Sequence, residues 1–589
     1  MSSLPLPIGN TSWVEYQAYQ LKDIDIDNLV KKVLGIFFGD PWRSSLSASA
    51  CILVLTYAMS LASFTWTRWS SKGGKSVPTL PYLFPGICHG FGLEWSMADF
   101  LSKSIRSWGY LAPMKVAAGS FGFVMVTNPQ HIRKMLRSSR ILTNRPMMVF
   151  VMMKWFYAPP ESMHHYTAHE DSNREDEHIH DQQAGISIKF LSGQHLQGMS
   201  ERYMSTLQKR LDALPLEGEG QWLEIPDFYT WLRDQVTPTS IEAMFGSRLV
   251  EMYPDISTDF WKFDDNIANF SRNLPRWLIP NAYKNRDKLL ANIKKWNILA
   301  HANTDCRKHG LEDPEWDEHM GSRFIKARED IMKQHGLDDE TVASENLGVL
   351  FGANANAVRA VFWCIFEALK DPDLKDRLHA ELMDCRMSGS SPTATTTTTT
   401  TTGQQPFDLS KFATKPLLQS TYAELLRMLV QTTFTRTNEN GDFDLGPDYT
   451  VRQNETMTVF SSITAHNTEA WRAARPEALA KPLDVFWPER FLVRKSKDAA
   501  SQPTFSLEGL TECWMPYGGG QRMCPGRHFA KLEIIGTLGV LLDNFEMELM
   551  DRNRAGKVIP DKRWVPYGTL PPKGLVSVRL RRLQKQSVL

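Results

Sequence analysis

One cysteine, in a glycine-rich loop directly before an apolar run, constrains this chain more than any other feature. The loop covers residues 517–526 and reads YGGGQRMCPG, with Cys524 near its end. The run Phe529–Leu542 follows and predicts a helix. A helix N-terminus, with Arg522 and Arg527 nearby, favours the thiolate form of the cysteine. A thiolate in a loop whose glycines admit a flat ligand suits an axial ligand of haem iron. The alternative is a buried structural cysteine beside a glycine turn.

This loop resembles the cysteine loop of the cytochrome P-450 family, whose pattern is F-x-x-G-x-R-x-C-x-G. The fixed positions are occupied here by Tyr517, Gly520, Arg522, Cys524 and Gly526, and the one departure is tyrosine for phenylalanine. The resemblance implies that Cys524 is the axial ligand of haem b iron and that the other four residues shape the cofactor-binding loop.

Two further motifs carry the same resemblance. Glu424 and Arg427 are three residues apart in the helical run Leu417–Val430 and share one helix face. Residues 486–491 then read FWPERF, which is similar to the family's P-E-R-F segment. The resemblance implies that Arg490 of this segment joins Glu424 and Arg427 in a buried network. It also implies a mainly α fold with small β-sheets (α+β), in which a triangular helical domain encloses the haem.

The apolar stretch near the N-terminus of the 589-residue chain, with the basic and proline-rich residues after it, resembles the anchor of the microsomal members, although the first 45 residues are unusual for the family. Residues 46–66 contain no charged side chain and are long enough to cross a hydrocarbon core of about 30 Å. A buried helix is the alternative. We expect a polar lumenal tail over residues 1–45, with Asn10 as a glycosylation acceptor, and a basic, proline-rich hinge over 67–86. Residues 87–589 would be one cytosolic catalytic domain behind a single-pass anchor in the endoplasmic reticulum.

Overall composition excludes some partners. The net charge is +1, so there is no electrostatic argument for nucleic acid. The seven cysteines show neither zinc nor redox spacing, which is typical of a reducing compartment.

Two polar inserts interrupt the catalytic part, and neither is expected to carry chemistry. The insert at 387–406 is rich in threonine and predicts a disordered surface loop. The insert at 160–183 holds several histidines among acids, and imidazoles with carboxylates could close on zinc. A solvated loop is the favoured interpretation of this insert. Its histidines are His164, His165, His169, His178 and His180.

The pattern predicts one long helix from Asp338 to Lys370, started by an aspartate cap and ended by a proline. In the family this helix crosses the distal haem face and carries [AG]-G-x-[DE]-T. Aligned on Trp363, the acid becomes Ala355 and the threonine becomes Asn356. An asparagine amide can donate a hydrogen bond and hold a water, but it cannot supply a proton by ionising. Packing or bending of the helix is the alternative role for these asparagines.

The segment Phe351–Trp363 resembles the branch that contains sterol 7α-hydroxylases and prostacyclin synthase. The first hypothesis is therefore a haem-thiolate monooxygenase acting on a lipophilic terpenoid, steroid or polyketide-like molecule in specialised metabolism. Cys524 and Asn356 would be catalytic, and O2 and NADPH-cytochrome reductase would be needed. The second hypothesis is a redox-independent isomerase or dehydratase of a peroxide, and the third is a non-catalytic haem-binding sensor.

The resemblance also implies roles for residues outside the motifs. Arg522 and Arg436 would pair with the haem propionates, the second on a looser placement. The reductase would dock on a basic patch formed by Arg522, Arg527, His528 and Lys531, for which a merely solvated face is the alternative. The substrate pocket would be lined by Phe351, Ala355, Thr433 and Phe434, with Met147, Phe150, Met153 and Trp155 as further wall residues, although core packing is an alternative for each.

Overall fold

The computed structural model describes residues 41–69, 75–110, 112–119, 121–167, 179–216, 220–387, 407–494 and 502–583. The chain divides into two compact units. The first includes the helix Pro41–Trp69 together with Pro78–Phe91 and Lys115–Gly122, and the second holds the other described residues. Most of the tail at 1–45, part of the hinge at 67–86, most of the threonine-rich insert and residues 168–178 of the histidine insert lie outside the described residues.

Within the first unit, the long apolar helix has the properties expected of a membrane span. Ser45–Trp69 covers 25 residues at a mean hydropathy of 1.7, and none of its most apolar window is buried. Ser60 is an exception near the middle, since its hydroxyl donates to the Tyr82 carbonyl oxygen at 3.1 Å. The segment Asp339–Lys370 is also long and apolar enough to span, but it is 72% buried and belongs to the protein core.

The second unit is mainly helical. Its first helix, Gly90–Trp108, begins in the first unit. The helices that follow are Pro129–Arg137, Arg145–Lys154, His164–Thr167, Ile179–Phe190, Gly193–Asp212, Phe228–Phe245, Ser247–Met252, Ile256–Asp264, Ile267–Ser271, Pro280–Asn303, Arg323–Gln334, Asp339–Asn354, Ala357–Lys370, Pro372–Met383, Pro416–Leu429, Ser461–Ala465, Thr468–Ala474, Arg527–Asn544 and Arg552–Ala555.

Short strands form small sheets beside these helices. The strands are Lys75–Ser76, Met114–Ala118, Phe121–Met125, Leu223–Ile225, Trp316–Asp317, Gly321–Ser322, Val430–Thr437, Phe443–Asp444, Tyr449–Val451, Thr456–Phe460, Leu492–Val493, Thr504–Phe505, Phe545–Leu549, Ile559–Pro560, Tyr567–Thr569, Pro572–Lys573 and Val578–Arg582. This arrangement is the α+β class that the sequence predicts.

One sheet brings together parts of the chain that are far apart in sequence. Its strand Val430–Thr437 pairs antiparallel with the central strand Thr456–Phe460, where Arg436 lies opposite Met457. On its other side it pairs antiparallel with Tyr567–Thr569. Thr456–Phe460 also pairs in parallel with the end of Phe121–Met125. The sheet therefore places the strand Tyr567–Thr569, near the C-terminus, beside the strand that follows the Glu424 helix.

The helix predicted from Asp338 to Lys370 is in fact two helices, Asp339–Asn354 and Ala357–Lys370. Asp338 caps the first, as its carboxylate accepts a hydrogen bond from the Thr341 backbone N–H at 2.8 Å. Every residue of the second helix except Glu367 and Lys370 is buried, and it packs against Arg527–Asn544, Phe228–Phe245 and Pro416–Leu429. The helix that follows the cysteine loop is thus held by the core of the unit.

The described part of the histidine insert is more buried than a solvated loop would be. Tyr166 is buried, and its hydroxyl donates to Glu345. Glu345 in turn accepts from Arg328 at 2.7 Å. Ile179 is fully buried at the start of the next helix. The prediction of a solvated loop is therefore wrong at both ends of the insert, because its aromatic and apolar side chains have partners in the core. Among the described residues no cluster of metal-binding side chains is found.

The Glu424 helix carries a buried charge network. Glu424 accepts hydrogen bonds from Arg427 at 2.7 and 3.0 Å and from Arg490 at 2.9 Å, and all three side chains are fully buried. The Trp487 backbone N–H donates to the same carboxylate at 3.0 Å. The arginines also donate to backbone carbonyl oxygens, including Leu483 at 2.7 Å. These bonds join the helix to the segment at 478–490.

We predict that Glu424→Ala lowers the free energy of unfolding by about 3–5 kcal/mol, because it leaves two buried guanidinium groups without a counter-charge. Denaturant unfolding of the full chain, followed by circular dichroism, measures this loss. Glu251→Ala is the control, since it breaks an exposed ion pair with Arg248 and should cost little. An equal loss of unfolding free energy in the two variants would contradict the prediction that the Glu424 network stabilises the fold more than an exposed ion pair does.

Candidate active site

The cysteine loop is shaped by glycines that no other residue could replace without strain. Gly518 and Gly520 have φ angles of +72° and +71°, in the region that favours glycine. A Cβ added to Gly520 would also lie 2.7 Å from the Leu136 carbonyl oxygen. The loop closes through the Cys524 backbone N–H, which donates to the Tyr517 carbonyl oxygen at 3.0 Å. The helix Arg527–Asn544 begins directly after it.

The Cys524 side chain has accessible surface because it lies on the wall of a cavity, but protein atoms crowd around most of the thiol. Burial raises the pKa of its thiol, while the backbone N–H groups of Gly526 and Arg527 and the Arg527 charge act in the opposite direction. The interactions expected to stabilise the thiolate are therefore present. In the protein alone, however, the cost of desolvating the charged sulfur is larger, so the pKa of the thiol is raised. A bound metal ion would deprotonate the thiol outright.

Tyr517 fixes the loop to the Glu424 helix. Its hydroxyl bonds to the hydroxyl of Tyr422 on that helix. Trp514 packs edge-on to Tyr517 at 6.3 Å, and its indole N–H donates to the Ala423 carbonyl oxygen at 2.8 Å. A phenylalanine could not make the hydroxyl bond, so the departure from the family pattern adds a contact rather than removing one.

A cavity of about 450 Å³ opens in front of Cys524, within the range of small-molecule and cofactor sites. Several of the predicted site residues line it. These are Cys524, Tyr517, Arg522, Gly526, Asn356, Thr433 and Phe434. The other lining residues are mostly apolar: Leu191, Met244, Phe324, Val349, Ala353, Leu426, Val430, Phe529 and Ile534. The cavity therefore combines one sulfur ligand with a largely apolar wall.

The family model described as Cytochrome P450 matches residues 109–574. This chain belongs to the cytochrome P450 family. Its sequence is 31% identical to a cytochrome P450 monooxygenase, fsoE, from Humicola fuscoatra, over 93% of this chain and 96% of the relative. It is 30% identical to the monooxygenase efuG from Hormonema carpetanum, over 90% and 94% of the two chains. The protein is accordingly an oxidoreductase of the P450 monooxygenase class.

More distant comparisons agree with the resemblance seen in the sequence. The 25-hydroxycholesterol 7-alpha-hydroxylase of Rattus norvegicus is 24% identical over 62% of this chain and 82% of its own length. A crystal structure of a cytochrome P450 (CYP102L1) matches with a TM-score of 0.59 at 17% identity, covering 87% of this chain and all of that one. The structural match shows that the P450 fold is present.

The residues around the cavity fit a planar anionic porphyrin. Arg436 is buried, its Nε has no partner in the described residues, and one Nη donates to the Thr435 carbonyl oxygen at 2.8 Å. Burial and the like charge of Arg522 lower the pKa of Arg436 to about 10. The guanidinium groups of Arg436 and Arg522 repel each other, and Arg436 is also desolvated. An anion bound between them, such as a haem propionate, would relieve both costs.

The glycine after the cysteine leaves room on the same wall. A Cβ added to Gly526 would lie 3.9 Å from Cys524 Sγ, and both residues line the cavity. The chain thus has the donor, the space and the counter-charges that the P450 family's haem iron requires.

The side chain of Asn356 already has a protein partner. It lies in the break between the two distal helices, and its Oδ1 accepts a hydrogen bond from the Thr569 backbone N–H at 2.7 Å. The Asn356 backbone stays in the right-handed helical region, so this bond is a side-chain contact made at the turn between the two helices. The Nδ2 donor of the amide remains for a ligand.

Six residues predicted to line the substrate pocket do not line the cavity described here: Phe351, Ala355, Met147, Phe150, Met153 and Trp155. Phe351 packs instead in an aromatic cluster, with ring centroids 5.6 Å from Trp155 and 5.8 Å from Phe156. Ala355 is fully buried beside the helix break. Gly520 packs against Leu136 and Arg436 is buried, and neither is among the residues that line the cavity.

Glu533 is a cavity residue that the sequence analysis did not single out. It lies on the helix after the cysteine, lines the cavity and is fully buried. The Ser240 hydroxyl donates to one of its oxygens, and the other has no partner in the described residues. Burial raises the pKa of Glu533 to about 8. Its signal in the sequence is an acid inside the apolar run Phe529–Leu542.

We predict that Glu533 makes the P450 less stable as pH rises. The folded protein keeps this carboxyl protonated up to a pKa of about 8, whereas the unfolded chain loses the proton near the ordinary value of 4.5. Stability from this group is therefore complete below about pH 4.5 and is lost as the pH passes through 8. In Glu533→Gln the decline between these values should be smaller, as measured by the free energy of unfolding at several pH values. A variant with the same pH dependence as the wild type would contradict the assignment.

Proposed function

We propose that this P450 oxidises a rigid lipophilic molecule of the terpenoid, steroid or polyketide-like class in specialised metabolism. The observation that carries the proposal is the cavity, in which the Cys524 sulfur shares a wall of mostly aliphatic and aromatic side chains with polar groups that include Asn356, Thr433 and Glu533. Such a lining gains free energy from apolar surface and fixes orientation through the few polar contacts. The names of the relatives fsoE and efuG as P450 monooxygenases agree with the reaction class.

The chain's own residues have separable tasks in this reaction. Cys524 would hold the iron of haem b as thiolate ligand, and Arg436 and Arg522 would bind the propionates. The haem supplies the oxygen chemistry when it is bound. Phe434, Val349 and the other apolar wall residues orient the substrate and exclude water. Asn356 offers a hydrogen-bond donor at the cavity wall but no proton of its own.

Electrons would come from a separate NADPH-cytochrome reductase. Of the four basic residues expected to form its docking patch, three make contacts within the protein. Lys531 donates to Gln419, Arg522 lies 3.6 Å from the Asp181 carboxylate, and Arg527 donates to the Cys524 carbonyl oxygen at 2.9 Å. His528 is exposed and Arg527 is partly so, next to the cysteine loop. We propose that the acidic partner contacts His528 and the exposed part of Arg527.

We propose that the helix Ser45–Trp69 anchors the protein in the endoplasmic reticulum membrane, with the catalytic part in the cytosol. Its length and apolar surface support a single span.

A second function, rearrangement of a peroxide without electrons or O2, is favoured by one feature. The distal helix has Ala355 and Asn356 where an acid and an alcohol relay protons in most family members. A reaction that needs no proton delivery would tolerate this loss.

We expect the purified, haem-loaded protein to oxidise a lipophile only when NADPH, reductase and O2 are all present. The measurement is product formation, by mass spectrometry, across terpenoid, steroid and polyketide panels. Conversion of a peroxide with no reductase present would support the second function instead and overturn the first.

A matched pair of cysteine variants tests the ligand. Cys524→Ala should abolish the absorption typical of a thiolate-ligated reduced CO complex, because the sulfur donor is lost. Cys51→Ala, in the exposed face of the membrane helix, should keep it. Retention of that absorption in Cys524→Ala would refute the proposed ligand.

A further inference from the structure

The apolar helix Pro41–Trp69 is fastened to a turn that follows it in the chain. The Ser60 hydroxyl donates to the Tyr82 carbonyl oxygen at 3.1 Å and accepts from the Tyr82 backbone N–H at 3.1 Å. Phe64, one helical turn beyond Ser60 on the same face, is buried. The helix and the segment Pro78–Phe91 belong to the same compact unit. Ser60 therefore sets the level of Tyr82 along the helix.

Ser60 lies in the part of the helix that a bilayer must cover. From the residue after Arg43 to Ser60 the sequence has 17 residues, none of them charged. At 1.5 Å per residue they span about 25 Å, which is less than a hydrocarbon core of about 30 Å. The next charged residue is Arg68, and Trp66 beside it is exposed, as suits a residue type that prefers the headgroup level. The edge of the hydrocarbon core therefore falls at or beyond Ser60, and Tyr82 lies at or inside that edge.

The turn after Tyr82 has an exposed apolar tip, formed by Leu83, Ile87 and Phe91. These side chains are 41%, 46% and 56% exposed. The Phe91 ring lies edge-on to Phe84, with ring centroids 5.1 Å apart. Large apolar side chains grouped on the surface of one short segment mark a contact with another molecule or with lipid.

The backbone of the turn is suited to a medium without water. Its N–H groups at Ile87, Cys88 and His89 donate to backbone carbonyl oxygens at 2.8–3.0 Å. The N–H group of Tyr82 donates to the Ser60 hydroxyl. Next to lipid each backbone polar group needs a partner within the protein, because no water can supply one. These bonds therefore lower the cost of placing the turn in the bilayer surface.

We propose that the apolar tip inserts into the lipid bilayer beside the helix Pro41–Trp69. The occupant is lipid because the bond between Ser60 and Tyr82 holds the tip at a depth where the helix itself is surrounded by lipid. Burial of the tip adds to the free energy of membrane binding. Two contacts, unlike a single helix, also fix how the first unit is turned relative to the membrane plane. The inference rests on the proposed membrane anchor.

The test places the photo-crosslinking residue p-benzoyl-phenylalanine at Ile87, and in a second variant at Phe91, in the full-length, haem-loaded protein. Each variant is reconstituted into nanodiscs of deuterated phosphatidylcholine and irradiated, and attached lipid is identified by its mass. We expect about tenfold more lipid at both positions than at Val485, because only a side chain inside the bilayer reaches acyl chains. Val485 is the matched control, an apolar residue of similar exposure (43%) in the second unit. Leu55, which is exposed on the helix, is the positive control.

The outcomes separate the inference from the anchor on which it rests. Lipid attachment at Leu55, with only the Val485 level at Ile87 and Phe91, would overturn the inference and leave the anchor intact. Absence of lipid at Leu55 as well would refute the anchor and the inference together. A product with the mass of two chains, in place of the lipid adduct at Ile87, would assign the tip to a second copy of the protein and overturn the lipid contact. Every variant should keep the thiolate absorption of the reduced CO complex, because the replaced side chains are exposed.

Discussion

The buried carboxylate of Glu424 is the interaction on which the rest of the site depends. Arg427 and Arg490 balance its charge. Removing the carboxylate or either guanidinium would leave an unpaired charge buried away from water. The helix that carries Glu424 is therefore fixed to the segment that carries Arg490. The same helix provides Tyr422 for the hydroxyl bond with Tyr517 of the cysteine loop. The position of Cys524 is thus set by charges that never touch the cofactor or the substrate.

The sequence alone predicted the parts of this arrangement that are encoded locally. The cysteine loop needs glycines at particular positions because its backbone enters the left-handed region, and such a requirement is visible in a short motif. Glu424 and Arg427 are one helical turn apart, and the fold class follows from the same motifs. These features could be predicted because their geometry is determined within a few residues.

The cavity walls could not be predicted in the same way, because distant segments supply them. The partner of Asn356 is 213 residues away, and periodicity cannot show that its amide is taken up by another strand. One long helix was also expected where there are two. Burial is equally invisible to a motif, and it makes the Cys524 thiol less acidic than the loop alone suggests and keeps Glu533 protonated.

The close approach of Gly568 to Asn356 has a consequence for how such enzymes diverge. A side chain at position 568 would overlap with the Asn356 amide, so it could be introduced only after that amide had been replaced by a smaller side chain. The two positions are therefore epistatic, and the change at 356 must precede the change at 568. Lineages that keep the amide are confined to glycine at 568.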